Sequence, residues 1–361
     1  MTKPLVSVLI DTYNHERFIA QALRSVLDQT FPADQMEIIV VDDGSTDSTP
    51  QIVQTFLPRI RYIRKENAGQ VSAFHAGAAE ARGDIVAFLD GDDWWAKEKL
   101  RKVVDAFDAH PGIACVGHAY YEVDANGRII ATVIPTADRI TLADASLAQS
   151  SCLLGVFLGT SRFAIRRAVL ERTLPVPEDL PFFDNFVYSQ AVAISGAVLL
   201  PQPLCYYRLH AGNLYASASP DRRVLWTKYR LLSGLLTHLP PRLASLGVPQ
   251  ATIAAFLGAD RLDADRLRLK LEGGRPIDTF RVERAAFRSG YRDPDFGYRL
   301  FKSFVLLLTL LLPPRTFYRL RDWYARKNFS RARRLLGDAE PVEVPTFTRR
   351  QQVAAPGGHA K

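Results

Sequence analysis

Three carboxylates crowd into VAFLDGDDWW (residues 86–95): Asp90, Asp92 and Asp93. They follow an apolar run and precede two tryptophans. Carboxylates this close repel one another, so a positive charge belongs among them. Hard divalent cations such as Mg2+ and Mn2+ take carboxylate oxygens. One or two from the protein suffice when phosphates and water supply the rest. Such a site implies a phosphate-bearing substrate, and its metal would offset charge on a departing diphosphate. A lone Asp-x-Asp is a weak signal, and Asp-Gly-Ser-Thr-Asp (43–47) taken alone reads as a helix cap. Placement is what gives these carboxylates weight.

The elements that must position them are legible as alternation. Apolar runs at 6–10, 37–41, 60–63 and 84–89 predict strands. Helical spacing over 15–29, 50–56, 70–81 and 97–109 predicts the helices between them, with Pro50 suited to a first helical position. That order predicts a mainly parallel, Rossmann-like α/β sheet with right-handed crossovers. Ligands of such sheets bind outside the carboxyl ends of the strands. Asp11-Thr12-Tyr13, Asp42-Asp43 and residues 90–93 all follow strands, so they should share one rim. Between 113 and 207 the pattern changes to strands and loops, with a hairpin turn expected at 124–127. Residues 221–300 read as charged helices.

The three cysteines, Cys115, Cys152 and Cys205, are far apart and form no Cys-x-x-Cys, which excludes a disulfide framework or zinc site and fits core positions. His118 reads as structural. Trp94 and Trp95 either flank an acceptor or cover the following helix. The start, MTKPLVSVLID, has one lysine and no small-residue cleavage site, and reads as a first strand rather than a signal peptide.

Three stretches in order, VSVLIDTYNHERFIAQALRSVLDQTFP, EIIVVDDGSTDSTPQIV and ENAGQVSAFHAGAAEARGDIVAFLDGDDWW, resemble the family 2 glycosyltransferases. Weaker likeness continues through SRFAIRRAVLERTLPVPE, FFDNF and LPQPLCYYRLHAGN, so a little over half the chain is covered. The resemblance implies the GT-A nucleotide-diphospho-sugar transferase fold with a helical C-terminal extension. It implies that Asp11, Thr12 and Tyr13 line the nucleotide-base pocket and that Asp43 hydrogen-bonds the base, usually uracil. Asn67, Gly69 and Gln70 lie near the nucleotide sugar. Asp90 and Asp92 form the metal motif for Mg2+ or Mn2+, with Asp92 favoured for direct ligation. Arg208 and His210 lie near the diphosphate or acceptor. The sequence departs from the pattern at Asp11, where proline is more usual, and at His75, where asparagine is. The acceptor-side Glu-Asp motif is not intact. Asp184 is its nearest counterpart and the expected general base, with a helix N-cap as the alternative reading.

The implied reaction is inverting transfer from a nucleotide-diphosphate donor, a UDP-sugar, to a hydroxyl of a glycan or lipid-linked acceptor in envelope polysaccharide or glycolipid synthesis. A sugar nucleotidyltransferase would want a glycine-rich basic loop after the first strand, where Asp-Thr-Tyr-Asn-His stands. A dehydrogenase would want Gly-x-Gly-x-x-Gly there. A non-catalytic nucleotide-sugar-binding homologue is the alternative from another class.

Charge is distributed unevenly. Residues 301–336 carry nine Lys/Arg (Lys302, Arg315, Arg319, Arg321, Arg326, Lys327, Arg331, Arg333, Arg334) against one acid, Asp322. With 46 basic and 38 acidic residues in all, the remainder balances at 37 of each. The apolar run 304–312 would span about 14 Å as a helix, against roughly 30 Å of bilayer hydrocarbon, so it does not cross. Aromatic residues mixed with Lys/Arg suit an anionic membrane surface. No RNA- or DNA-binding module surrounds the patch, which excludes a nucleic-acid partner. The expected organisation is a GT-A domain over 1–215, a helical region over 216–336 and a disordered tail over 337–361. The expected location is cytoplasmic, peripheral on the inner face of the plasma membrane.

Overall fold

The computed structural model describes residues 5–135, 137–142, 156–210, 212–213, 221–290, 296–335 and 348–351. The chain divides into two compact units. The first comprises residues 1–213, 237–256 and 343–361, and the second 214–236 and 257–342.

The first unit is built on β1 (Val6–Thr12), β2 (Met36–Asp42), β3 (Arg61–Arg64) and β4 (Ile85–Asp90). These pair in parallel in the order β3-β2-β1-β4. Both β1 and β4 are almost wholly buried, which is why each reads as a continuous apolar run rather than an alternating one. The crossovers are α1 (Ile19–Leu27), α2 (Thr49–Gln54) and α3 (Gln70–Glu80). Helix α1 buries Ile19, Ala22, Leu23 and Val26, the face its spacing predicts.

After β4 the chain forms the short β5 (Trp94–Trp95) and α4 (Lys99–Ala109). The sheet is then extended by β6 (Cys115–Val123), β7 (Ile129–Pro135), β8 (Arg139–Ile140) and β9 (Phe163–Arg166). Strand β9 lies antiparallel between β4 and β6. The β6–β7 hairpin turns at 124–127 as predicted, with Gly127 at φ +83°. Next come α5 (Arg167–Thr173), α6 (Asp184–Ser195) and the long β10 (Ala197–Arg208). Strand β10 runs parallel to β6 and antiparallel to β5, which carries Arg208 back to the rim.

Helix α7 (Arg222–Ser245) and α8 (Gln250–Phe256) follow. Residues 237–256 group with the first unit, a subdivision that composition does not mark. The reason is contact: Arg242 donates to Leu174 O and Pro175 O, and His238 pairs with Asp179 at 3.0 Å. The second unit contains α9 (Gly258–Leu271), α10 (Pro276–Gly290), α11 (Phe296–Leu311) and α12 (Pro314–Leu335). Its core is Leu269, Val282, Phe317 and Tyr318, with Leu262, Val305 and Leu312 packed on it. No helix among the described residues is long and apolar enough to cross a membrane. In the tail expected to be disordered, Thr348–Gln351 form β11, an edge strand antiparallel to β7, and the other residues from 336 onward lie outside the described ones.

Candidate active site at the carboxyl rim of the sheet

Asp11 and Asp90 are register partners on the parallel strands β1 and β4. Gln70, the first residue of α3, donates Nε2 to both: 3.2 Å to Asp11 Oδ2 and 3.0 Å to Asp90 Oδ1. One neutral amide is poor compensation for two adjacent carboxylates. Burial, reinforced by the Asp92 charge, pushes Asp11 up to about 7. Burial and the charges of Asp11, Asp92, Asp93 and Asp184 push Asp90 well above the usual carboxylate range. The expected rim of converging acids is therefore present, and it includes Asp184.

Asp92 is held differently. His210 Nε2 lies 2.9 Å from its Oδ2, and His15 Nε2 lies 3.9 Å from the same oxygen. Gly212 N–H donates to His210 Nδ1, so the Nε2 nitrogen carries the proton given to Asp92. Burial alone would raise Asp92, but the hydrogen bond from His210 and the electrostatic pull of the His15 and His210 rings hold it below the usual range. Asp90 and Asp92 thus stand as a proton-seeking acid beside a fixed carboxylate. Gly91 between them has no room for a side chain: a Cβ there would meet His15 Nδ1 at 2.7 Å and Thr12 Oγ1 at 2.8 Å.

Ser161 and Thr160 sit beneath this rim, just before β9, and sequence reasoning did not single them out. Ser161 Oγ accepts from Asp90 N–H at 3.0 Å and donates to Asp90 Oδ2 at 3.2 Å. Thr160 donates to Asp184 Oδ2 through its N–H (3.3 Å) and Oγ1 (3.4 Å). One short turn therefore grips both Asp90 and Asp184. The turn is itself pinned: Ser161 O accepts from Lys99 Nζ at 2.8 Å and from Trp95 Nε1 at 3.0 Å. Lys99 is fully buried, 3.6 Å over the Trp95 ring, and burial pulls its pKa down to about 7. The only advance signal for this turn was its position at the head of the SRFAIRR stretch. His15, also missed, lies in the Asp-Thr-Tyr-Asn-His loop.

Asp184 begins α6. Its Oδ1 accepts from Asn185 N–H at 2.7 Å, and burial raises its pKa despite the Arg162 charge nearby. The helix cap is Phe183, so Asp184 is the first helical residue rather than the N-cap, and it stands at the rim with raised proton affinity.

The remaining expected residues are placed less simply. Thr12 is buried with Oγ1 3.3 Å from His15 Nδ1, whereas Tyr13, Asn67 and Gly69 are exposed on the rim loops. Both Asp43 oxygens are engaged locally, by Lys65 Nζ at 2.7 Å and by the N–H groups of Ala68 (3.1 Å) and Gly69 (2.7 Å). Asp43 therefore shapes the loop that leads into α3. Arg208 is buried rather than facing the rim with open donors. Its Nε donates to Asp92 O, Nη1 to Ala125 O and Nη2 to Gln21 Oε1, and its guanidinium lies between Phe18 and Trp94. Its backbone N–H donates to Asp93 Oδ1 at 2.8 Å. These contacts fix the Asp90–Asp93 turn from below and leave Arg208 a positioning part. Trp94 stacks on Tyr206, and Trp95 is buried. Cys115, Cys205 and His118 are buried as expected, and Cys152 lies outside the described residues. His75 Nε2 accepts from Val176 N–H at 3.1 Å.

Among the described residues no group of three or more His, Cys, Asp or Glu is arranged to hold a metal. A Mg2+ or Mn2+ site shared with phosphates needs only one or two protein carboxylates, and the donor chemistry here suits that kind of site. Asp90 and Asp92 are oxygen donors, Asp11 and Asp90 share only the amide of Gln70, and Gln70 Oε1 is buried with no hydrogen-bond partner among the described residues.

Comparison with known proteins agrees with this geometry. The chain is 34% identical over 220 residues to an uncharacterized glycosyltransferase of Nostoc sp. (strain PCC 7120), covering 59% of this chain and 67% of that protein. It is 43% identical over 107 residues to the putative teichuronic acid biosynthesis glycosyltransferase TuaG of Bacillus subtilis, covering 28% of this chain and 42% of TuaG. Among solved structures, S. aureus TarS 1-349 in complex with UDP-GlcNAc superposes with a TM-score of 0.51 at 21% identity, over 80% of this chain and 93% of that one, and shows the shared fold. A similar match is found to TarS 1-349 in complex with UDP. Residues 7–174 match the sequence profile of Glycosyl transferase family 2. With the acidic rim, the GT-A-like sheet and these relatives in agreement, the chain belongs to the family 2 glycosyltransferases.

Proposed function

We propose that this enzyme transfers a sugar from a UDP-sugar to a hydroxyl of a glycan or lipid-linked acceptor, with inversion, in cell-envelope polysaccharide or glycolipid synthesis. The observation that carries this reading is the convergence of Asp11, Asp90, Asp92 and Asp184 at one rim, where the acids raise the proton affinity of Asp90. TarS, of the same fold, binds UDP and UDP-GlcNAc, and TuaG is named for teichuronic acid biosynthesis; both support the choice of donor and setting.

Asp90 and Asp92 would hold a Mg2+ or Mn2+ ion, which when bound neutralises charge on the diphosphate. Gln70 orients Asp90, and His210 with His15 orients Asp92. Tyr13, Asn67 and Gly69, exposed beside the rim, flank the nucleotide. Asp184, with raised proton affinity in a buried setting, takes the proton from the acceptor hydroxyl. The acceptor oxygen then attacks the anomeric carbon as the bond to the diphosphate breaks, and a single displacement inverts that centre. The enzyme works from the cytoplasmic membrane face, peripherally, through residues 301–336.

A UDP-sugar panel titrated by calorimetry with and without Mn2+ tests the donor. Metal-dependent binding of one UDP-sugar, lost in Asp92→Ala, is the expected result. Asp184→Asn should keep that binding and lose transfer by about a hundredfold or more. Absence of binding to every uridine nucleotide in the presence of metal rejects the donor reading, and full transfer activity in Asp184→Asn rejects the base.

A further inference from the structure

Helix α11 is apolar on two opposite sides. Val305 and Thr309, with Leu312 just past the helix end, turn toward the second unit's core. Phe304, Leu307 and Leu311, at i, i+3 and i+7, form the other side and are 60%, 59% and 77% exposed. On α12 the exposed large apolar residues among those described are Leu320, Trp323 and Tyr324, beside the exposed Arg319. Exposed leucines occur singly on most surfaces, but a run of large apolar side chains along one helix side needs an occupant.

We infer that the outer side of α11, with Leu320, Trp323 and Tyr324 of α12, is an interfacial docking face for an anionic phospholipid bilayer. Three facts select that occupant. The segment that carries the face holds all of the chain's net charge of +8, so anionic headgroups are attracted. A second copy would bring the same basic segment, and like charge disfavours self-association. No described helix is long and apolar enough to cross, so the face lies in the interface plane, where Trp, Tyr and Arg are favoured. The fold thus uses one side of α11 to hold its own core and leaves the other to the membrane.

This inference rests on the peripheral placement proposed above but not on the transfer chemistry, so vesicle binding reads it without turnover. Full-length protein would be sedimented with vesicles of phosphatidylcholine alone and with added phosphatidylglycerol. Binding should appear with phosphatidylglycerol, weaken as salt rises, and shift Trp323 emission to the blue. The triple variant Phe304→Ser, Leu307→Ser, Leu311→Ser should lose about tenfold or more in affinity with an unchanged circular dichroism spectrum. If that variant fails to fold, Trp323→Ser with Tyr324→Ser serves the same purpose from α12. Equal vesicle binding by the folded variants overturns the inference, as does no binding to anionic vesicles. Concentration-dependent dimerisation of the wild type that the triple variant abolishes also overturns it, assigning the face to a second copy.

Discussion

Asp11 and Asp90 face each other across two parallel strands, and the single amide of Gln70 donates to both carboxylates. Neighbouring acids without a full counter-charge cost stability in the ligand-free chain and are neutralised when a cation arrives. Under the proposed function, a cation shared with a phosphate-bearing substrate would supply that charge. Residue 11, where the family more usually has proline, adds one carboxylate to that demand.

Ser161 and Thr160 divide their labour along this rim, and the two should separate kinetically. Ser161→Ala removes the contacts that orient Asp90, at about 0.5–1.5 kcal/mol for a typical hydrogen bond. It should weaken Mn2+-dependent UDP binding by about tenfold or more, with partial recovery in Ser161→Thr. Thr160→Val should instead lower kcat and leave the donor KM near wild type, because its partner is Asp184. Titration of UDP with Mn2+, beside steady-state kinetics, distinguishes the two. Equal effects of both variants on kcat and KM would remove the division.

Gly91 has no room for a methyl group. Gly91→Ala would drive a Cβ toward His15 Nδ1 and Thr12 Oγ1, both under 3 Å away. Overpacking of this kind costs about 1–3 kcal/mol. The expected outcome is a lowered Tm together with a tenfold or greater loss of Mn2+-dependent UDP affinity, the latter because His15 is displaced from Asp92. Gly91→Ala with wild-type calorimetry would show that the turn yields easily.

Lys99 gives a pH signature. Burial lowers its folded-state pKa from 10.5 to about 7, whereas the unfolded chain keeps the ordinary value. Between about pH 7 and 10.5 the unfolded state binds the extra proton, so this group makes stability rise with pH across that window. Lys99→Met abolishes the titration. The Tm difference, variant minus wild type, should be most favourable to the variant near pH 7 and decline as pH rises toward 10. Thermal melts of both proteins at matched ionic strength measure it, and a difference independent of pH would mean that Lys99 titrates normally.

The strand-ending acids were legible because the information is local. Apolar runs that stop at Asp11, Asp42 and Asp90 declare both a buried strand and its edge, and a parallel sheet brings successive edges together by topology. The β6–β7 hairpin was legible for the same reason, since Asp124 and Gly127 carry their turn chemistry within four residues. Tertiary structure alone decided what surrounds those acids. Ser161 meets Asp90 across 71 residues and Lys99 across 62, and no spacing rule announces such pairs. The resemblance implies Arg208 near the diphosphate or acceptor, and only β10 sets it beneath the Asp90–Asp93 turn, where its donors meet backbone and Gln21. Asp43 likewise turned inward to the loop that begins α3. By itself, then, the sequence determined the sheet, the rim and the charge that gathers at 301–336, because hydrophobic periodicity and composition act over short stretches. Which carboxylate is clamped, which has its proton affinity raised and which arginine is buried depended on long-range packing, because burial and neighbouring charge set those properties and exist only once the chain has folded.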